Sequence, residues 1–442
     1  MLQEVDTLYA AHVAELARRS DTALAATGFD RLVVYSGRPQ YQFQDDRPYP
    51  FAVNPHFKQW VPITDAPDCC VEYTPGQRPR LLFHQPADYW HRPPQLPPGD
   101  WQRSIDVEIL REPGDARALL DAGRGRTALV GEPPPEFADW GYAASNPPAL
   151  LARLHYERAV KTPYELACMR LASSIGARGH VAARDAYFGG ASEFEAHLAY
   201  CAATGLTEGE LPYGNIVAYD ESAAVLHYQH LDRARDRPRR SFLIDAGAHF
   251  RGYASDITRT WSTDQGEFAA LVAAMDHVQQ ALCAGVRPGR DYRDLHLEAH
   301  LRIGRVLAEA GIVRCGADTA VAERITSVFF PHGIGHLLGL QVHDVAGLAG
   351  DPSGTEIPRP DGHPFLRLTR VLQPGWVVTV EPGLYFIDLL LDEARADGRG
   401  RQIDWTTVAR LKPFGGIRIE DDVACTAGTP ENLTRDAFAA LA

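Results

Sequence analysis

A chain of 442 residues that is 45% hydrophobic and 23% charged has room for more than one core and lacks the polar bias that would exclude a folded protein. Its formal net charge of -13 excludes a general nucleic-acid surface, which needs clustered Lys and Arg to displace counterions from phosphates. Seven cysteines, odd in number and without CxxC spacing, exclude a disulfide framework or zinc ribbon and read as reduced, mostly buried thiols.

Leu2, Val5, Leu8, Tyr9, Val13 and Leu16 recur at helical spacing among Glu4, Asp6 and Arg18, so the chain opens on an amphipathic helix rather than a secretion signal. No apolar run approaches the roughly 18 residues needed to cross a bilayer, and a cytoplasmic location is the expectation. Arg31 to Gly37 reads as a strand ending in a turn, followed by an irregular stretch through Trp60. Further strands are expected at Asp68 to Tyr73, Arg80 to Phe83, Ser104 to Leu110 and Thr127 to Gly131. Proline is dense from Pro86 to Pro98 and from Pro133 to Pro148, where its fixed φ and missing N–H favour loops. These elements suggest a small α/β domain over residues 1–153.

The second region, 154–442, opens with Thr162-Pro163-Tyr164-Glu165, a capping sequence that starts a long helix running toward Gly189-Gly190. Ser192-Glu193-Phe194-Glu195 repeats the capping pattern, with Gly205 as the stop. A second helix pair is expected at Glu267 to Ala284 and Tyr292 to Ala310. Strands follow each pair, which suggests a duplicated α+β half-unit.

Ser241 to Asp245 ends an apolar strand on a carboxylate, and Asp256 follows on the next run. If the chain reverses around Phe250-Arg251, the two aspartates become cross-strand neighbours about 5 Å apart, where a cation or a shared proton relieves their repulsion. A polar hairpin facing water is the plainer alternative. His332-Gly333-Ile334-Gly335-His336 and His343 gather three imidazoles among glycines, which let backbone approach a site closely. Val377 to Val380 ends on Glu381, and Ile417-Arg418-Ile419 on Glu420. The four carboxylates balance two divalent cations. Oxygen-rich ligation with one imidazole suits Mn²⁺, with Co²⁺ or Zn²⁺ as alternatives. Such a pair, about 3.5–4 Å apart, holds a bridging hydroxide and polarises a carbonyl.

Together, Ile244-Asp245-Ala246-Gly247, Asp256-Ile257-Thr258-Arg259-Thr260, the His332 to His336 run, Glu381-Pro382-Gly383 and Arg418-Ile419-Glu420-Asp421 resemble the pita-bread metallopeptidases, and among them the bacterial prolidases. Asn54 to Trp60 and Leu226-His227-Tyr228 extend the resemblance over nearly the whole chain. It implies an α+β pita-bread catalytic domain behind a creatinase-like α/β domain, hydrolysing dipeptides with a C-terminal proline.

By the same resemblance Asp245, Asp256, His336, Glu381 and Glu420 are the metal ligands, with Asp256 and Glu420 bridging. His227, His343, Arg367 and Arg418 surround the substrate, Arg367 and histidine take its carboxylate, and Glu381 transfers protons. A guanidinium fork is a natural bidentate partner for a carboxylate. Tyr213 and Trp90 are implied pocket walls, Trp90 reaching in from a second subunit with Asp45 or Asp46, which implies a homodimer and explains a dipeptide limit. Prolidase-like sites also accept organophosphate triesters, expected here as a side activity. Aminopeptidase P activity on longer peptides and a metal-free binding module are the rivals.

Overall fold

The computed structural model describes residues 2–441, and the chain divides into two compact units. The first comprises Met1–Cys168, Phe250–Tyr253 and Ala349–Thr355; the second holds the remainder. Helix Pro148–Arg158 runs through the expected boundary after residue 153.

In the first unit a mixed sheet takes the order Asp106–Leu110, Arg80–His84, Cys70–Tyr73, Arg31–Tyr35, Thr127–Val130, Ala144–Ser145. Arg31–Tyr35 pairs antiparallel with Cys70–Tyr73 and parallel with Thr127–Val130, and all five of its residues are buried. All five expected strands therefore form. The opening helix is broken at Leu8 into Leu2–Thr7 and Tyr9–Thr27, with Val5, Tyr9, Val13 and Leu16 buried. The side chain of Leu2 lies outside the described residues. The stretch expected to stay irregular through Trp60 contains helix Pro55–Trp60, because Pro55 occupies its first turn and the Asn54 side chain accepts from the His56 N–H. The second proline-rich stretch is also more ordered than expected, holding the 3₁₀ turn Pro135–Trp140.

Both capping sequences close as read. Glu165 accepts from the Thr162 N–H at 2.7 Å and its own N–H reaches the Thr162 hydroxyl at 3.3 Å, starting helix Pro163–Phe188. Ser192 and Glu195 make the same reciprocal pair ahead of Glu193–Thr204, which ends at left-handed Gly205. The second pair is Glu267–Cys283 and Tyr292–Glu309. A three-stranded sheet follows each pair: Ile216–Tyr219, Ser241–Asp245 and Thr258–Ser262 after the first, then Val377–Val380, Asp421–Ala424 and Glu431–Asn432.

Alternation along Ser241–Asp245 explains how a carboxylate arises from an apolar strand. Phe242 and Ile244 pack with Tyr187, Tyr200 and Val217 in the core beneath the first helix pair, whereas Leu243 packs in a separate cluster on the other face. Asp245 shares the parity of Leu243, so it is turned away from the helix core.

That core also carries a buried histidine. The His180 Nε2–H donates to the Ala246 carbonyl at 2.9 Å, and burial depresses the His180 pKa to about 3. Neutral His180 therefore contributes stability that is complete above the unfolded-state value near 6.5. This contribution is lost as pH falls from there toward about 3. His180→Gln is expected to flatten the acid limb of the thermal-stability curve over that window; an unchanged slope would refute the assignment.

Candidate metal centre

Five groups converge in the second unit, each delivered by a strand end or a glycine-flanked loop. Asp245 closes its strand, Glu381 follows Val377–Val380, and Glu420 forms an isolated bridge with Thr258. Asp256 arrives differently from expectation. The chain does reverse near Phe250-Arg251, through left-handed Arg251 and Gly252, but the residue opposite Asp245 is Thr258. Asp256 sits in the non-strand link Ser255–Ile257, its N–H held by the buried Asp422 carboxylate at 3.1 Å.

His336 completes the set. Its Nδ1–H donates to the Leu337 carbonyl at 3.0 Å, which turns Nε2 toward Asp256 Oδ2 at 3.4 Å and Glu381 Oε1 at 3.9 Å. Fixing one ring nitrogen on a carbonyl is how a metal-ligating imidazole is commonly oriented. The His336 N–H also donates to the Thr379 hydroxyl at 3.1 Å. Gly335 permits this approach: its φ is 153°, and a Cβ there would collide with the Thr379 carbonyl and the Tyr292 hydroxyl.

Ligand-capable atoms of Asp256, His336 and Glu420 lie within 4.8 Å of one another, and all three residues are buried. Glu420 is further oriented by the Thr258 hydroxyl, which donates to its Oε2 at 2.7 Å. The Tyr213 hydroxyl lies 2.8 Å from Asp245 Oδ1 and 2.5 Å from Asp256 Oδ1, so Tyr213 clamps both aspartates. Its ring presses on Gly247, where a Cβ would stand 2.7 Å from the Tyr213 Cε1.

The charge balance shows why cations fit here. Burial raises the Asp245 pKa against the opposing pull of Arg418. Burial followed by repulsion from Asp256, Glu381 and Asp245 pushes Glu420 well above the carboxylate range. Burial lifts Glu381 to about 7. Asp256 alone is held low: burial pushes it up, but the hydrogen bonds and charges it receives from His336, with Tyr213 beside it, together outweigh that push. Among the described residues, Arg418 and His336 are the cationic groups in close ion-pair contact with the four carboxylates. Desolvated carboxylates in such excess need protons or added cations, and an oxygen-rich set with one oriented imidazole suits divalent ions.

The expected outer shell divides. Arg418 is buried, and its donors go to Asp245 Oδ2 at 2.7 Å, the Tyr385 hydroxyl at 3.0 Å and the Thr258 hydroxyl at 3.2 Å. It holds Asp245 in place. His343 is exposed, its ring centred 4.4 Å from that of His336, and burial together with the His336 and Arg367 charges lowers its pKa to about 4. His227 and Arg367 are exposed and close enough to influence His343 electrostatically. Trp90 belongs to the first unit, is exposed and lies tilted against Tyr89, and Asp45 and Asp46 are exposed there too.

His332 and Tyr385 were not among the expected site residues. His332 Nδ1–H donates to the Gly333 carbonyl at 2.8 Å, Nε2 pairs with the Tyr385 hydroxyl at 2.8 Å, and the ring stands 3.7 Å from Glu381. Its place in the histidine run was the available signal. Tyr385, isolated in sequence, offered none.

A metal-binding hydrolytic site on paired helix-and-sheet halves defines a class, and the chain belongs to metallopeptidase family M24, which residues 167–427 match. Residues 7–156 match the Xaa-Pro dipeptidase N-terminal domain. The chain is 54% identical over 439 residues to an Xaa-Pro dipeptidase of Stenotrophomonas maltophilia, covering 99% of both. It is 53% identical over 437 residues to one of Xanthomonas campestris, again covering 99% of both. Among solved structures it resembles a Pseudomonas aeruginosa aminopeptidase with a TM-score of 0.73 and 25% identity, covering 97% of this chain and 98% of that one. Escherichia coli aminopeptidase P, with the inhibitor Pro-Leu, shares the fold with a TM-score of 0.72 at 22% identity, covering 96% and 95% respectively. The pita-bread expectation thus holds.

Proposed function

We propose that the chain hydrolyses Xaa-Pro dipeptides at two divalent cations held by Asp245, Asp256, His336, Glu381 and Glu420. The observation that carries this reading is the excess of buried carboxylates converging with His336 Nε2; full-length relatives that are Xaa-Pro dipeptidases supply the substrate. Bound cations would supply an activated water nucleophile and a Lewis acid for the scissile carbonyl.

The protein's own groups do the rest. The prolyl nitrogen has no proton in the imide bond and leaves as an amine only when one is delivered, a transfer assigned to Glu381. Arg367 takes the substrate carboxylate, with His343 and His227 beside it. Arg418 and Tyr213 hold Asp245 and Asp256 in place through their hydrogen bonds. Trp90 closing the pocket from a second subunit, with Asp45 or Asp46, belongs to the same proposal, as do the homodimer and Mn²⁺ as the native ion. So do a cytoplasmic location, an organophosphate side activity and a domain division after residue 153. Among the described residues no helix is long and apolar enough to cross a membrane.

The aminopeptidase P structures that share the fold favour one second reading, cleavage of longer Xaa-Pro peptides. Ala-Pro and Ala-Pro-Ala separate the two. After chelation and Mn²⁺ re-addition, Ala-Pro is expected to be cleaved and Ala-Pro-Ala to be spared; the reverse preference, or activity indifferent to chelator, would overturn the dipeptidase reading.

A further inference from the structure

Behind His332, on the far side of Phe330, lies a second cluster that the peptidase chemistry does not use. His296 and His300 are one turn apart on helix Tyr292–Glu309, so their rings share a face. Both are buried, and His363 comes to them from the segment Asp361-Gly362-His363-Pro364. Ring centroids of His363 stand 4.6 Å from both of the others. Phe330 packs 5.9 Å from His296, 4.9 Å from His300 and 4.8 Å from His332, separating the cluster from the carboxylate pocket.

Hydrogen bonding within the cluster leaves it incomplete. His296 Nε2 pairs with His363 Nδ1 at 2.9 Å, and His300 Nδ1 with the Thr326 hydroxyl at 2.9 Å. His296 Nδ1 and His300 Nε2 are then buried without a hydrogen-bond partner among the described residues. An unsatisfied buried polar atom is destabilising, and two in one three-ring cluster call for an explanation.

We propose that His296, His300 and His363 form a second metal site, for a single transition-metal ion of the Zn²⁺ class, separate from the carboxylate centre. One ring nitrogen from each residue lies within 4.8 Å of the other two. Tetrahedral Zn²⁺ with bonds of about 2.0–2.1 Å needs nitrogens about 3.4 Å apart, inside that span. Three imidazoles and no carboxylate select borderline ions such as Zn²⁺, Co²⁺ or Ni²⁺ over Mn²⁺, whereas the oxygen-rich catalytic set accepts harder ions. Burial depresses His296 to about 2 and His300 to about 3, and burial with the Arg324 charge lowers His363, so all three rings are neutral and ready to ligate at pH 7. The fourth position falls to solvent or a small anion on the half-buried His363 side. An ion there ties helix Tyr292–Glu309 to the segment that carries Arg367, four residues after His363.

The test uses the full-length enzyme saturated with Mn²⁺, titrated with Zn²⁺ and freed of unbound ions, with both metals counted by elemental analysis. Wild type is expected to take up one Zn²⁺ per chain while keeping its Mn²⁺. His363→Gln, on the loop, and His300→Gln, in the helix, are expected to weaken that uptake by more than about 100-fold, beyond what losing an outer-shell partner costs. Their Mn²⁺ content and Ala-Pro hydrolysis stay unchanged. Co²⁺ added to the Mn²⁺-loaded wild type is expected to give the intense visible bands of a tetrahedral site, absent from His363→Gln. Zn²⁺ uptake equal in wild type and His363→Gln, or uptake only in exchange for Mn²⁺, overturns the proposal. Because the readout is stoichiometry, it stands or falls independently of the dipeptidase reading.

Discussion

Asp256→Asn and Glu420→Gln are expected to lose bound metal and Ala-Pro hydrolysis together, each by more than about 100-fold, the upper range for removing a mere outer-shell partner. Both carboxylates are buried beside His336, with one ligand-capable atom from each of the three within 4.8 Å. Each substitution is nearly isosteric, so packing survives while a charge is removed. Metal-free Glu420→Gln should respond in the opposite sense. Glu420 is pushed upward by burial and then by repulsion from Asp256, Glu381 and Asp245, so neutralising it relieves the apo cluster and should raise the metal-free Tm. Thr258→Val removes the hydroxyl that donates to Glu420 Oε2 and accepts from Arg418 Nε, and a loss of about 10–100-fold is expected. Elemental analysis, initial rates and thermal unfolding with and without chelator report all three. A Glu420→Gln enzyme that keeps its metal and its wild-type rate would remove Glu420 from the ligand set.

The opposite responses of apo stability and metal binding follow from a property only partly visible in the linear chain. Asp245 and Glu381 were legible because each ends an apolar run, where alternation and strand length leave a carboxylate at the rim. The capping sequences at Thr162 and Ser192 were legible because caps are local chemistry. Asp256 was read as the cross-strand partner of Asp245, yet Thr258 holds that register. The link Ser255–Ile257 is set by Asp422, whose carboxylate takes the Asp256 N–H, and no local pattern announces a contact across so much sequence. The helix Pro55–Trp60 differs, since Asn54-Pro55 is a local signal left unused. Asp388–Asp397 and Trp405–Leu411 are short helices that periodicity over so few residues does not resolve. The three-histidine cluster illustrates the limit most directly. Its helical pair is visible as a four-residue spacing, but His363 joins it only through the tertiary fold.

Arg418 is where the sequence-derived role and the geometry diverge, and its replacement separates them. Placed around the substrate by resemblance, it is instead buried with its donors on Asp245, Tyr385 and Thr258. Removing one member of a buried, hydrogen-bonded ion pair costs about 3–5 kcal/mol, because the partner charge is left desolvated. Arg418→Met is therefore expected to destabilise the metal-free catalytic unit by about that amount. Here the loss is aggravated, since Asp245 would face Asp256 with only the Tyr213 hydroxyl between them. Saturating metal should restore part of the stability, as any ligand that binds only the folded state does. The affinity at which it does so should be weaker by about 10–100-fold, since Asp245 loses the fork that aims it. Arg418→Lys, which keeps the charge but offers a single point donor, should recover stability better than metal affinity, because three partners at different angles need a planar guanidinium. A substrate-binding arginine would behave otherwise: KM for Ala-Pro would rise while metal content and the apo Tm stayed at wild-type values. That pattern would return Arg418 to the substrate shell and leave Asp245 to be positioned by Tyr213 alone.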